Sequence, residues 1–171
     1  PPNIVAKRNY QGRAPCTFVN ICEYSKFTMS VFIIREPNYS MPLHDHPKMC
    51  GLLKVISGKI KIQSYTKIAS PNGSNELLVT KNEPKILDET SPASFLDDKN
   101  CNFHELTSLD GPSAFFDILS PPYSDYDERI CHFYRKLAID HEKKILRLEE
   151  IECPPHYFCD SLIFEKPDFM T

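Results

Sequence analysis

The sequence predicts a single all-β domain, a barrel or a sandwich, with few or no helices. Three features of the chain indicate this: short β-branched or aromatic runs, polar–apolar alternation, and closely spaced turn residues. In 59–63 (KIKIQ) isoleucines alternate with polar residues, as a strand buried on one face requires. The 15 prolines interrupt the chain often, which keeps each apolar run short.

The predicted strands follow one another at near-regular spacing, as in all-β domains. They cover residues 17–24, 28–34, 52–56, 59–63, 76–80, 93–96, 102–106, 113–119 and 145–151. Turns are predicted at 36–38, 57–58, 71–73, 82–84, 110–112 and 120–122. The one helix that the pattern allows is 129–144, a stretch whose periodicity is ambiguous.

Size and composition favour one ordinary globular domain over residues 1–171, with 41% hydrophobic and 25% charged residues. Because the chain begins with Pro1 and not with Met, we expect that a preceding N-terminal segment is missing. A net charge of −3, without long runs of Lys or Arg, argues against a nucleic-acid partner. No apolar stretch approaches the ~20 residues that span a bilayer, so we expect no membrane partner. We also expect the protein to be a monomer.

The seven cysteines are scattered and include no C-x-x-C pair of the kind that binds zinc. A domain of this size does not depend on disulfides for its stability. We therefore interpret the cysteines as reduced thiols and expect a cytosolic protein.

Histidines at 44, 46 and 104 are the candidate metal ligands. In 42–47 (PLHDHP) the flanking prolines disfavour a helix, and in a strand His44 and His46 point to the same side. Imidazole suits iron, zinc, copper and nickel, although an H-x-H pair alone is a weak signal. A barrel can bring His104, in 102–106 (NFHEL), close to this pair. The other histidines are interpreted as a satisfied core residue (His132) and surface residues (His141 and His156).

Taken together, these motifs resemble the family of cysteamine dioxygenase and the plant cysteine oxidases. The resemblance runs in order from about residue 17 to 135, and a weaker similarity follows in 146–159. Its blocks are PLHDHP (42–47), GLLKVISGKIKIQSY (51–65), NFHEL (102–106), FFDILSPPYS (115–124) and CHFYR (131–135).

The resemblance implies a cupin barrel, the double-stranded β-helix, with one non-haem Fe(2+) held by His44, His46 and His104. The implied reaction adds O2 to the thiol of cysteamine, or of an N-terminal cysteine of peptides and proteins, and yields the sulfinic acid. The latter substrates imply a role in oxygen sensing. Three neutral imidazoles leave iron(II) its full charge, which favours an anionic thiolate and leaves room for O2.

Three further residues have roles that the resemblance implies. Asp117 lies beside the iron as a catalytic and substrate-binding residue, Tyr123 lies at the pocket edge where it binds substrate, and Cys131 lies behind the metal ligands. The chain also departs from related patterns in two places. Residues 48–51 (KMCG) lack the acid that most cupins have after the second histidine, and Phe133 replaces the tyrosine of a C-x-Y crosslink.

Asp117 is also unusual on residue grounds alone, since it interrupts the apolar strand 113–119. Alternation places it on the same face as Phe115 and Leu119. A buried carboxylate is costly unless it is paired, so the alternative is an acid at the exposed rim of the barrel.

Two other functions remain open at this point. Three histidines also build zinc or nickel enzymes, and the same barrel can serve as a non-catalytic module that binds a small ligand. For a thiol dioxygenase, the motifs contain no evident Arg to clamp a free α-carboxylate, apart from Arg129 and Arg135 near Cys131. This favours cysteamine and N-terminal cysteinyl peptides over free cysteine.

Overall fold

The computed structural model describes residues 14–69, 76–140 and 145–165 of the chain. Strands make up most of this part, and its only helix is the single 3₁₀ turn Asp125–Asp127. The strands are β1 (Cys16–Glu23), β2 (Thr28–Ile34), β3 (Ser40–His44), β4 (Cys50–Ala69), β5 (Glu76–Lys81), β6 (Lys85–Leu87), β7 (Ser94–Leu96), β8 (Phe103–Ser120), β9 (Phe133–Asp140), β10 (Ile145–Ile151) and β11 (Cys159–Ile163). No helix in these residues is long and apolar enough to cross a membrane.

The strands form one sheet that closes on itself. Its order is β11-β1-β2-β8-β3-β9-β10-β5-β4-β6, and an additional pairing of β4 with β8 completes the ring. Closure leaves an inner face that side chains fill and removes most free strand edges. The predicted all-β barrel is therefore confirmed.

The long strands β4 and β8 replace four shorter predicted strands. The turns predicted at 57–58 and 110–112 are therefore wrong, because the strands continue through them. The β4–β8 register shifts on both sides of Ser57, and Gly58 has a φ of 75°. A Cβ on Gly58 would lie 2.5 Å from the Pro112 carbonyl oxygen, so this close approach requires glycine. These irregularities bend continuous strands around the barrel instead of ending them.

The predicted helix at 129–144 is also wrong. Residues 129–132 lie in an irregular segment, and Phe133–Asp140 forms β9, which pairs with β3 and β10. Pairing with two neighbours outweighs the helical tendency of that stretch. Residues 141–144 and the turn predicted at 71–73 lie outside the described residues. The sequence reading also missed β6 and β11.

The core lies on the inner face of the barrel. Ile60 and Ile62, which predicted a half-buried strand, are 0% and 5% exposed. Phe18, Phe32 and Phe115 stand in one cross-strand row, with ring centroids 5.0 and 5.5 Å apart. Beyond this row the inner face turns polar, and the candidate site lies there.

Candidate metal centre

The three predicted ligands meet inside the barrel. His44 ends β3 and lies directly opposite His104 of β8 in the strand register, while His46 follows two residues after His44. All three are buried, with exposures of 7%, 4% and 7% for His44, His46 and His104. Their Nε2 atoms converge, because His104 Nε2 lies 3.2 Å from the Nε2 of both His44 and His46.

Hydrogen bonds fix the proton on the far nitrogen of two of these rings. His44 Nδ1 lies 2.8 Å from the Pro42 carbonyl oxygen, which can only accept, so Nδ1 carries the proton. The Tyr123 hydroxyl lies 3.1 Å from the Asp45 carbonyl oxygen and 2.6 Å from His46 Nδ1. Donating its one proton to the carbonyl leaves the hydroxyl oxygen to accept from His46 Nδ1–H.

This arrangement fits a metal ion. The Nε2 atoms of His44 and His46 both present lone pairs toward His104 Nε2, and a bound cation would relieve their repulsion. Burial lowers the pKa of His44, and it lowers the pKa values of His46 and His104 well below the ordinary range. The three rings are therefore neutral at physiological pH, which is the form that binds a metal.

Asp45, between the two ligands of the H-x-H pair, anchors their loop to the segment before β9. Its buried carboxylate accepts from the His132 backbone N–H at 2.8 Å and from the Tyr134 hydroxyl at 2.9 Å. The Asp45 N–H in turn donates to the His132 carbonyl oxygen at 3.2 Å. These bonds hold the loop from two sides, a role that sequence reasoning missed.

Asn102 fastens His46 to the start of β8, and it too was missed. Its Oδ1 accepts from the His46 N–H at 2.9 Å, and its Nδ2 donates to the carbonyl oxygens of His46 and Asp97, both at 2.8 Å. Asn102 is 3% exposed, so removing its amide would leave buried backbone groups unpaired. The only signal in the sequence is its place two residues before His104.

A cavity of about 80 Å³ lies beside the three imidazoles. Phe32, Leu53, Phe115 and Phe133 contribute apolar surface, and Asp117 contributes a carboxylate. Burial raises the pKa of Asp117 to about 7, and no hydrogen bond from the described part of the chain offsets that burial. The predicted position of Asp117 on the face shared by Phe115 and Leu119 agrees with this lining, since all three residues line the cavity.

Comparison with known proteins decides the family. The family model described as PCO_ADO matches residues 3–169. The chain belongs to the PCO_ADO family. Among curated relatives, 2-aminoethanethiol dioxygenase of Homo sapiens is 32% identical over 158 residues, which cover 80% of this chain and 55% of the relative. Plant cysteine oxidase 1 of Arabidopsis thaliana is 23% identical over 129 residues, which cover 74% of this chain and 43% of the relative.

This PCO_ADO chain therefore spans about half the length of the curated relatives it matches. Among solved structures, CapF with the inhibitor 3-isopropenyl-tropolone has a TM-score of 0.53 at 14% identity, over 71% of this chain and 32% of CapF. That likeness concerns the fold alone. The closed barrel of this PCO_ADO chain agrees with the cupin double-stranded β-helix that the resemblance implied.

Tyr123 and Cys131 both line the cavity, next to one another. Burial raises the pKa of the Cys131 thiol to about 12. Tyr123 contacts a candidate ligand, His46, in addition to lining the cavity. The Tyr134 hydroxyl is bound to the Asp45 carboxylate and does not replace the phenol that Phe133 lacks.

The two remaining histidines that the structure describes, His132 and His156, lie apart from the centre. His132 is not a core residue, since its side chain is 33% exposed, but its Nδ1 is satisfied by Asp45 Oδ1 at 3.2 Å. This hydrogen bond raises the pKa of His132. His156 is exposed, as predicted, and His141 lies outside the described residues.

Proposed function

We propose that this PCO_ADO chain is an iron(II)-dependent dioxygenase that adds both atoms of O2 to a thiol and yields a sulfinic acid. The observation that carries the proposal is the convergence of three neutral imidazoles at a cavity that also contains an unpaired carboxylate. The relatives named 2-aminoethanethiol dioxygenase and plant cysteine oxidase support the reaction class.

His44, His46 and His104 would hold the iron through their Nε2 atoms. Bound iron(II) supplies the reducing centre at which a thiol and O2 can meet. The imidazoles add no negative charge, so the site keeps a positive charge that favours an anionic sulfur. The Tyr123 hydroxyl oxygen accepts a hydrogen bond from His46 Nδ1–H and thereby keeps the His46 Nε2 lone pair directed at the centre.

We propose that the Asp117 carboxylate binds the amine of the substrate. In cysteamine and in an N-terminal cysteine, two carbons separate the thiol from a free amine, so the two groups enter the site together. A carboxylate in a half-buried, apolar wall attracts an ammonium group more strongly than one in water does. The surrounding phenyl and leucine side chains exclude water from the reacting sulfur.

We expect N-terminal cysteinyl peptides and cysteamine to be better substrates than free cysteine. The described residues that line the cavity include two carboxylates, Glu23 and Asp117, and no Lys or Arg. A free α-carboxylate would therefore face like charge without a partner, at a cost in kcat/KM of roughly tenfold or more. Competitive turnover at equal, sub-saturating concentrations, with the product detected as a gain of two oxygens, measures this preference. A clear preference for free cysteine would contradict the proposed pocket.

Zinc and nickel also suit three imidazoles, so the proposal needs a direct test of the metal. The metal content of the purified protein is measured together with thiol-dependent O2 uptake. Iron with uptake supports the dioxygenase. Another metal without uptake would indicate a different cupin enzyme, and no metal would indicate a binding module.

We also propose that the enzyme works in the cytosol and contributes to oxygen sensing. All seven cysteines are free, which supports a reducing compartment. Oxidation of a protein's N-terminal cysteine would make the state of that protein depend on the supply of O2.

A further inference from the structure

A row of polar side chains leads from the candidate site to the mouth of the cavity. Asp117 on β8 lies opposite Ser30 on β2, and Ser30 lies opposite Asn20 on β1. All three residues line the cavity; Asp117 is half-buried, Ser30 is buried and Asn20 is exposed. Side chains directly opposite one another on neighbouring strands touch or nearly touch, so the row is a continuous polar strip.

Glu23 extends this strip at the rim. It lies opposite Thr28 on β2, which lies opposite Leu119 on β8, and all three line the cavity. Glu23 is three residues after Asn20, so in a regular strand it would point away from the cavity. The β1–β2 register shifts between Asn20 and Cys22, and this irregularity turns Glu23 to the inner side.

The charged groups of this strip are all acidic. Glu23 and Asp117 are the only charged groups among the described residues that line the cavity. Glu23 is exposed at the end of β1 and lies two strands across and about two residues along from Asp117. Standard strand spacings put their Cα atoms roughly 12 Å apart.

We infer that the strip binds the residues that follow an N-terminal cysteine, and that Glu23 selects peptides with Lys or Arg at the second or third position. The inference rests on the proposed function, because it starts from a thiol at the imidazoles and an amine at Asp117. An extended peptide advances about 3.3 Å per residue, and a Lys side chain reaches about 6 Å further. A basic side chain at the second or third position therefore reaches Glu23, whereas cysteamine is too short to do so.

The expected effect is modest, because Glu23 is exposed to solvent. Exposed ion pairs change an equilibrium by a factor of about 1.4 to five, and salt weakens them. We expect wild-type protein to favour a Cys-Lys peptide over the matching Cys-Glu peptide by about three- to tenfold in kcat/KM at low salt, with a smaller preference at high salt.

Glu23→Gln tests the inference, with Glu36→Gln as the matched control. Glu36 is an exposed acid in the turn after β2 and does not line the cavity. Glu23→Gln should bring the Lys-to-Glu ratio close to one and lower kcat/KM for the Cys-Lys peptide relative to cysteamine. Glu36→Gln should keep the wild-type ratio. An unchanged ratio in Glu23→Gln, or an equal change in both variants, would overturn the inference.

A binding measurement separates this inference from the reaction itself. Fluorescence anisotropy with labelled Ser-Lys and Ser-Glu peptides and nickel-loaded protein reports the same preference without turnover. Glu23-dependent preference for the Ser-Lys peptide supports the strip even if the iron protein oxidises no thiol. Thiol oxidation by a protein that binds both peptides equally would leave the proposed function standing and refute the role of Glu23.

Discussion

His104→Ala is expected to abolish thiol-dependent O2 uptake and most metal binding. The substitution leaves two imidazoles, and it removes the ring whose Nε2 lies 3.2 Å from the Nε2 of each other ligand. Two nitrogen ligands make an open and weak site for a divalent metal. Metal content after loading and desalting, measured with turnover on the same sample, checks the expectation.

His156→Ala is the matched control, because His156 is exposed and lies outside the cavity. We expect it to retain wild-type metal content and turnover. Circular dichroism of both variants verifies that the barrel is intact. Full metal occupancy and turnover in His104→Ala would remove His104 from the site.

Asp117→Asn is expected to keep the fold and most of the metal while lowering turnover by roughly 10–100-fold. The amide has nearly the same shape as the carboxyl group, but it cannot carry the charge that attracts an ammonium group. The decrease should appear in kcat/KM for aminothiol substrates, and the metal content is measured in parallel. Wild-type turnover in Asp117→Asn would mean that the acid is only structural.

The same variant has a second expected effect, on the metal-free protein. Burial raises the pKa of Asp117 from 3.8 to about 7, so the folded state binds this proton more tightly than the unfolded state does. Its contribution to the free energy of unfolding is therefore present at low pH and is lost as the pH rises toward 7. The Tm of Asp117→Asn minus the Tm of wild type should therefore be higher at pH 8 than at pH 5. Parallel pH profiles for the two proteins would contradict the burial of this carboxyl group.

The convergence of the three candidate ligands was predictable from the sequence, because His44 and His46 lie in a proline-bounded H-x-H motif and His104 lies in a recognisable strand. His44 ends β3 directly opposite its long-range partner His104 on β8, and His46 follows two residues later in the adjoining loop. Asp117 was predictable for a similar reason, since a carboxylate in an apolar strand is conspicuous.

The residues that hold this set in place were not predictable. Asn102 binds the backbone of His46 across 56 residues of sequence, and Asp45 binds a backbone N–H 87 residues away. Such contacts depend on strand pairing that no local pattern contains. The predicted turns at 57–58 and 110–112 failed for a related reason, because glycine marks a bulge in a continuous strand as readily as it marks a turn.

Isotope labelling tests the central claim most directly. The iron-loaded protein is given an N-terminal cysteinyl peptide under ¹⁸O2 in unlabelled water, and the product is analysed by mass spectrometry. A dioxygenase predicts a sulfinic acid in which both added oxygen atoms carry the label, with no product from metal-free protein. A product with one labelled oxygen or none, or turnover that does not depend on iron, would contradict the assignment of this centre to thiol dioxygenation.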